Sequence, residues 1–225
     1  MVQKRKGGAP PPGSPTKPAP SEPKRRGRPR AYEPDVALGK ALDLFRQGGF
    51  AATSLDDLSA ATGMNRPSLY GAFGDKRELY IKSYQRYRNE ARAAMADIFR
   101  SDASVRQQLE RIFATALDIY LSGENGPRGC FTVMTAGSEA VQDPDIRAMV
   151  QDALSELDKA FAFCFRRAKE TGELPEKADP AVLAQLASAT IHSIAIRARA
   201  HASRKELEAI VKGALDVMLG PKSSR

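Results

Sequence analysis

The chain has no tryptophan, and only two cysteines and two histidines among its 225 residues. Cys130 and Cys164 are too few for a disulfide framework and fit a reducing compartment. His192 and His201 match no metal-ligand spacing, and the cysteines stand too far apart for a local thiolate site. No metal or cofactor is therefore expected. No uninterrupted run of about eighteen apolar residues occurs, so no membrane-spanning helix is expected. The opening Met-Val-Gln-Lys-Arg-Lys turns straight to prolines and lacks the apolar stretch of a secretory signal. The expected location is cytoplasmic. Phosphate loops, Ser-His-acid sets and paired-carboxylate motifs are missing too, so no enzyme is expected. Alternating β-branched runs are also missing, which argues against strands.

What is present favours helix and a real core. Hydrophobic residues make up 42% and charged residues 28%, with Ala, Leu, Glu and Arg prominent. The basic charge is unevenly spread. Residues 1–34 hold nine Lys and Arg against two Glu, which accounts for +7 of the net +8. Nine of the fifteen prolines fall in the same stretch. Residues 1–33 therefore read as a disordered basic arm, suited to salt-dependent contact with DNA phosphates or to solubilising the chain.

The remainder reads as about nine helices. Pro34-Asp35 opens the first, which Gly48-Gly49 ends. Ser54 caps the second, with Asp57 as its acidic partner three positions on. The third begins near Arg66-Pro67, and the fourth runs from Gly74-Asp75 to about Arg100. Further segments cover about 104–122, 129–140, 143–171, 179–201 and 203–220.

Residues 55–74 meet the spatial demands of a helix-turn-helix. Ser59 is small where two helices cross, and Gly63 tolerates the positive φ of the turn. Met64 and Leu69 lock the second helix onto Leu58 of the first. From Thr53 to Leu79 the sequence resembles the signature of the TetR family of one-component regulators, and the clear match covers about residues 31–91. The resemblance implies an all-α protein: a three-helix DNA-binding domain over 34–91, with its motif at about 54–74, and a helical effector-binding and dimerisation domain over 92–225. It also implies a homodimer on a palindromic double-stranded operator, usually repressing and released by a small ligand. Asn65-Arg66-Pro67 departs from the small or polar residues usual there, which bears on the bases read and not on the fold.

Side chains at the N-terminus of a recognition helix face base edges, so Asn65, Arg66 and Ser68 are candidates for direct readout. Thr53, Ser54, Tyr70 and Lys76 are candidates for phosphate contacts, with ring packing as the alternative for Tyr70. Arg26-Gly27-Arg28-Pro29 resembles an AT-hook core, which suits Arg26 and Arg28 to a narrow minor groove. A nonspecific tether is the alternative.

In the second half, Phe113, Tyr120, Phe131, Met134, Phe161, Cys164, Phe165 and His192 are candidates to line a pocket for a hydrophobic or aromatic effector. Ordinary core packing is the alternative for each. Cys130, near a helix N-terminus, is a candidate redox thiol or an inert buried cysteine. The last two helices are apolar on more than one side, which suits a four-helix homodimer interface. An architectural DNA-binding protein without ligand sensing and a ligand-dependent activator remain alternative readings.

Overall fold

The computed structural model of the protein describes residues 33–124 and 126–221. The expected arm, with Arg26 and Arg28, lies outside the described residues except for Glu33. Ten helices occur among the described residues: α1 Pro34–Ala52, α2 Leu55–Thr62, α3 Arg66–Phe73, α4 Lys76–Arg100, α5 Val105–Leu121, α6 Phe131–Ala136, α7 Glu139–Gln142, α8 Pro144–Glu170, α9 Pro180–Arg199 and α10 Arg204–Leu219. The fold is all-α. The segment expected at 129–140 is divided, because Gly137 and Ser138 interrupt it and leave α7 as a single turn.

Polar residues at the helix starts set most boundaries. Ser54 with Asp57, Asp75 with Glu78, Ser104 with Gln107 and Ser203 with Glu206 form reciprocal capping boxes. Asp143 and Asp179 each cap a helix that opens on proline. One expected stop is instead a kink. Gly49 takes φ 81°, open to glycine at little cost, and the chain makes one more turn through Ala52 before Thr53.

Two hydrophobic cores hold the helices together. One belongs to α4, α5, α8, α9 and α10, with Phe113, Phe161 and Phe165 fully buried. The other fills the space among α1, α2, α3 and the first half of α4. Phe131, Ala140, Ile146 and Val150, from α6 to α8, are part of this second core. The DNA-binding head thus shares its interior with the body. α9 has a mean hydropathy of 1.3, and by length and composition alone it is apolar enough to cross a membrane. Packing accounts for one side of it: α5, α8 and α10 bury Ala187, Ile191, Ile194 and Ala198, while Val182, Leu186 and Ile196 stay exposed.

Candidate DNA-reading face and effector cavity

The α2–turn–α3 unit is built as the spacing demands. Gly63 closes α2 at φ 70°, its N–H bonded to the Ser59 carbonyl. Leu58, Met64 and Leu69 are buried beneath it. The α3 N-terminus is then free to face outward.

Several expected DNA contacts already have partners in the free protein. Asn65 is the N-cap of α3, its Oδ1 accepting from the Ser68 N–H at 2.9 Å. The Asn65 amide NH2 therefore points its donors away from the helix, and the capping bond fixes the side chain. Arg66 is exposed and donates through Nη2 to Asp56 Oδ1 at 2.8 Å, across the turn on α2. Sequence reasoning missed Asp56, because an acid in a first turn reads as a helix-dipole residue. Ser68 is half-buried, and Tyr70 presents its ring outward at 47% exposure. Ser54 has its hydroxyl in the capping box. Lys76 opens α4, with Nζ 4.3 Å above the Phe50 ring.

Thr53 departs from expectation. It is buried, its hydroxyl donates to the Gly49 carbonyl at 2.7 Å, and its N–H bonds the Phe50 carbonyl. Both donors are committed to the α1 kink, so Thr53 shapes the turn and has no donor to spare for a phosphate.

Arg46 joins head to body. It leaves α1, sits 7% exposed, and donates to the Ile119 carbonyl at 3.0 Å and the Gly129 carbonyl at 3.2 Å. Its guanidinium lies 5.0 Å from the Tyr87 ring centre. Burial pushes its pKa down from the ordinary arginine range, opposed by the nearby Tyr87. Arg199 of α9 reaches back to the Arg46 and Gln47 carbonyls, and Arg128 pairs with Asp43. The end of α1 is thereby stapled to the α5–α6 loop.

Behind Arg46 lies a cavity of about 340 Å³, walled by α4, α5, α6, α8 and α9. Its walls are mainly apolar, with Met95, Phe99, Leu157 and Ile191 prominent. Tyr87, Tyr120, Cys130, Thr132 and His192 supply polar groups, and Arg88, Arg92 and Glu156 supply charge. Tyr87 donates to Cys130 Sγ at 3.4 Å. Burial pushes the Tyr87 and Tyr120 hydroxyls well above the usual tyrosine range and the His192 imidazole below its own.

The structure therefore brings together only part of the expected pocket: Tyr120, His192 and the candidate thiol Cys130. Phe113 and Phe161 stack on one another in the core, and Phe165 is buried there too. Phe131 packs edge-on against Tyr80, Tyr84 and Tyr87 in the head's core. Met134 lines a separate depression with Val133 and Ala195, and Cys164 is buried with its thiol pushed up to about 11. Large aromatic side chains suit a core as well as a pocket wall, and Phe113, Phe131, Phe161 and Phe165 are all buried in the core. The inner face of α4 was the part missed, although Tyr87, Ala91 and Met95 repeat at four-residue spacing across the end of the head.

A helix-turn-helix head packed beneath a helical body with a lined cavity defines a DNA-binding transcription regulator. Comparison with known proteins agrees. The family described as "Bacterial regulatory proteins, tetR family" matches residues 37–82, and "Tetracyclin repressor-like, C-terminal domain" matches residues 105–214. The HTH-type transcriptional repressor ComR of Escherichia coli (strain K12) is 34% identical over 187 residues, covering 82% of this chain and 88% of that protein. The HTH-type transcriptional activator FasR of Mycolicibacterium smegmatis is 27% identical over 131 residues, 57% of this chain and 58% of that one. A cysteine-substituted form of the regulator CifR, solved with 26 bp double-strand operator DNA, superposes with a TM-score of 0.78. It is 27% identical, over 85% of this chain and all of that one. The chain belongs to the TetR family. It is a sequence-specific DNA-binding transcription regulator and not an enzyme.

Proposed function

We propose that this regulator is a repressor that binds a palindromic operator as a homodimer and releases it when a small hydrophobic molecule fills the α4–α9 cavity. One observation carries the reading: the cavity's inner wall, Tyr87, Tyr120 and Cys130, lies directly against Arg46, the side chain that ties α1 of the head to the body. A ligand that displaces that wall acts on the head's seat, and differential binding to two arrangements shifts their populations.

At the operator, Asn65, Arg66 and Ser68 face base edges, while Ser54, Tyr70 and Lys76 contact phosphates. Arg26 and Arg28 follow the adjacent minor groove. Deleting residues 1–30 then weakens operator binding and lowers its salt slope by about 0.9 per lost phosphate contact. Unchanged affinity and slope in salt titrations would remove the arm from the reading.

The dimer forms through the outer face of α9, where Val182, Leu186 and Ile196 are 50%, 45% and 57% exposed; Phe163 of α8 is exposed as well. On α10, Leu207, Val211, Leu215 and Met218 face inward, while Ile210 and Ala214 are half-buried and Val217 is exposed, so these three are its contribution to the pairing. Pairing in this way sets two recognition helices one DNA turn apart, roughly 34–36 Å, or a multiple of it. ComR, named a repressor, favours repression over activation. A cytoplasmic location suits this role.

The test is selection of bound duplexes from a random pool, followed by footprinting. A single asymmetric site occupied by one chain would overturn the palindrome and the dimer together. Cys130 serves as a thiol sensor only if Cys130→Ser abolishes operator release by oxidants; persistence in the mutant assigns it to packing.

A further inference from the structure

The charged side of the cavity discriminates between ligand types. Arg88 and Arg92 stand one turn apart on α4, and both donate to the same oxygen of Glu156, at 2.8 and 2.6 Å. Two guanidiniums thus converge on a single carboxylate oxygen, so the three side chains together carry a net charge of +1 at the cavity wall. Arg88 is mostly shielded, at 16% side-chain exposure, and donates also to the Met149 carbonyl. Arg92 is 58% exposed and free to change partner. His192 adds no charge, since burial holds it in its neutral form near pH 7, against the opposing pull of Asp158. Of the other lining residues, Met95, Phe99, Leu157 and Ile191 offer only apolar contact.

We propose that the effector is an amphipathic organic monoanion, a carboxylate on an aliphatic or aromatic body, whose carboxylate takes the Arg88–Arg92 pair from Glu156 while its body fills the apolar end. This rests on the cavity being the effector site. Guanidiniums present paired, planar donors that match a carboxylate, and a charged acceptor holds them more strongly than a neutral carbonyl does. A cationic ligand meets two like charges there, and that repulsion is itself a source of specificity. The volume of about 340 Å³ lies at the small end of ligand pockets, roughly 300–1,000 Å³, which suits a compact acid.

The experiment compares octanoate, decanoate and 4-butylbenzoate with their primary amides and with octylamine, using the full chain. It reads the unfolding midpoint and release of the selected operator. The acids are expected to raise the midpoint and release DNA, and the amides and the amine to do neither at equal concentration. Arg92→Gln, at an exposed position, weakens acid binding about tenfold, the loss of one charge-assisted contact. Glu156→Gln removes the competing carboxylate and strengthens acid binding, the opposite of what loss of a merely structural ion pair gives. Amides that act as well as the acids, or a Glu156→Gln variant with weakened acid binding, overturn the anionic class and leave the cavity reading standing. If neither the acids nor a wider panel of neutral apolar compounds shifts the midpoint, the cavity reading falls too.

Discussion

Arg66 and Asp56 face each other across the turn of the reading motif, the guanidinium Nε and Nη2 lying 3.2 and 2.8 Å from one Asp56 oxygen. The pair is exposed on both sides, so it contributes no more than about 1 kcal/mol. A bidentate guanine contact discriminates by about 1–3 kcal/mol. On the proposed readout, a guanine of the operator takes Arg66 over and repays the broken pair, while DNA of the wrong sequence leaves Arg66 held by Asp56 and away from the phosphates. Asp56→Ala is expected to tighten binding to unrelated duplexes and to lower the operator-to-unrelated ratio by about fivefold. Fluorescence anisotropy at fixed salt measures both affinities, and an unchanged ratio would show that Asp56 takes no part in specificity.

Removing the Arg46 guanidinium leaves the Ile119 and Gly129 carbonyls without their donor in a buried site. Arg46→Met should cost about 2–4 kcal/mol in urea unfolding. The wild-type protein should unfold in one transition, because head and body share a core. A second, resolved transition in the wild type would contradict that shared interior.

The exposed apolar face of α9 gives a direct test of assembly. Leu186→Glu places a charge at the centre of that face without touching the protomer's core. Sedimentation should show a monomer at micromolar concentration, with operator affinity falling at least about a hundredfold as two-headed binding is lost. Retained dimer in the variant would move the interface elsewhere.

Stability toward acid should depend on the start of α8. Hydrogen bonds from Arg77 hold the Asp143 carboxyl down to about 2, against an ordinary value of 3.8. An acid depressed in the folded state adds stability above its unfolded value, and that contribution fades as pH falls through the folded one. The loss therefore belongs between about pH 4 and pH 2. Asp143→Asn should melt lower at pH 7 and show a flatter decline across that window. An equally steep decline would assign the acid sensitivity to other carboxylates.

Most helix boundaries, the turn at Gly63 and the burial of Leu58, Met64 and Leu69 were legible because each rests on local chemistry: a cap, a positive φ, an apolar repeat. The state of the reading side chains was not. Nothing in the nine residues between Asp56 and Arg66 indicates that they meet, since the turn angle decides it. Thr53 read as a phosphate contact because it precedes a helix, yet the Gly49 kink turns it inward. Composition could nominate aromatic residues for a pocket, but it could not tell a wall from the core behind it. Phe99 faces the cavity, and its neighbour Phe161, 5.7 Å away, does not.

The seat of Arg46 also bears on how such a molecule can be altered. Regulators with separate reading and sensing parts invite exchange, one head grafted to another body to give a new pairing of signal and gene. Here a cut anywhere along α4 would part Arg46 from the carbonyls it serves, and Ala41 and Phe45 from a core completed by Phe131 and Ile146. A working chimera must carry α6 and the start of α8 along with the head, or rebuild their surfaces in the recipient. The same constraint acts on natural recombination, so the two parts of this chain are expected to have been inherited together.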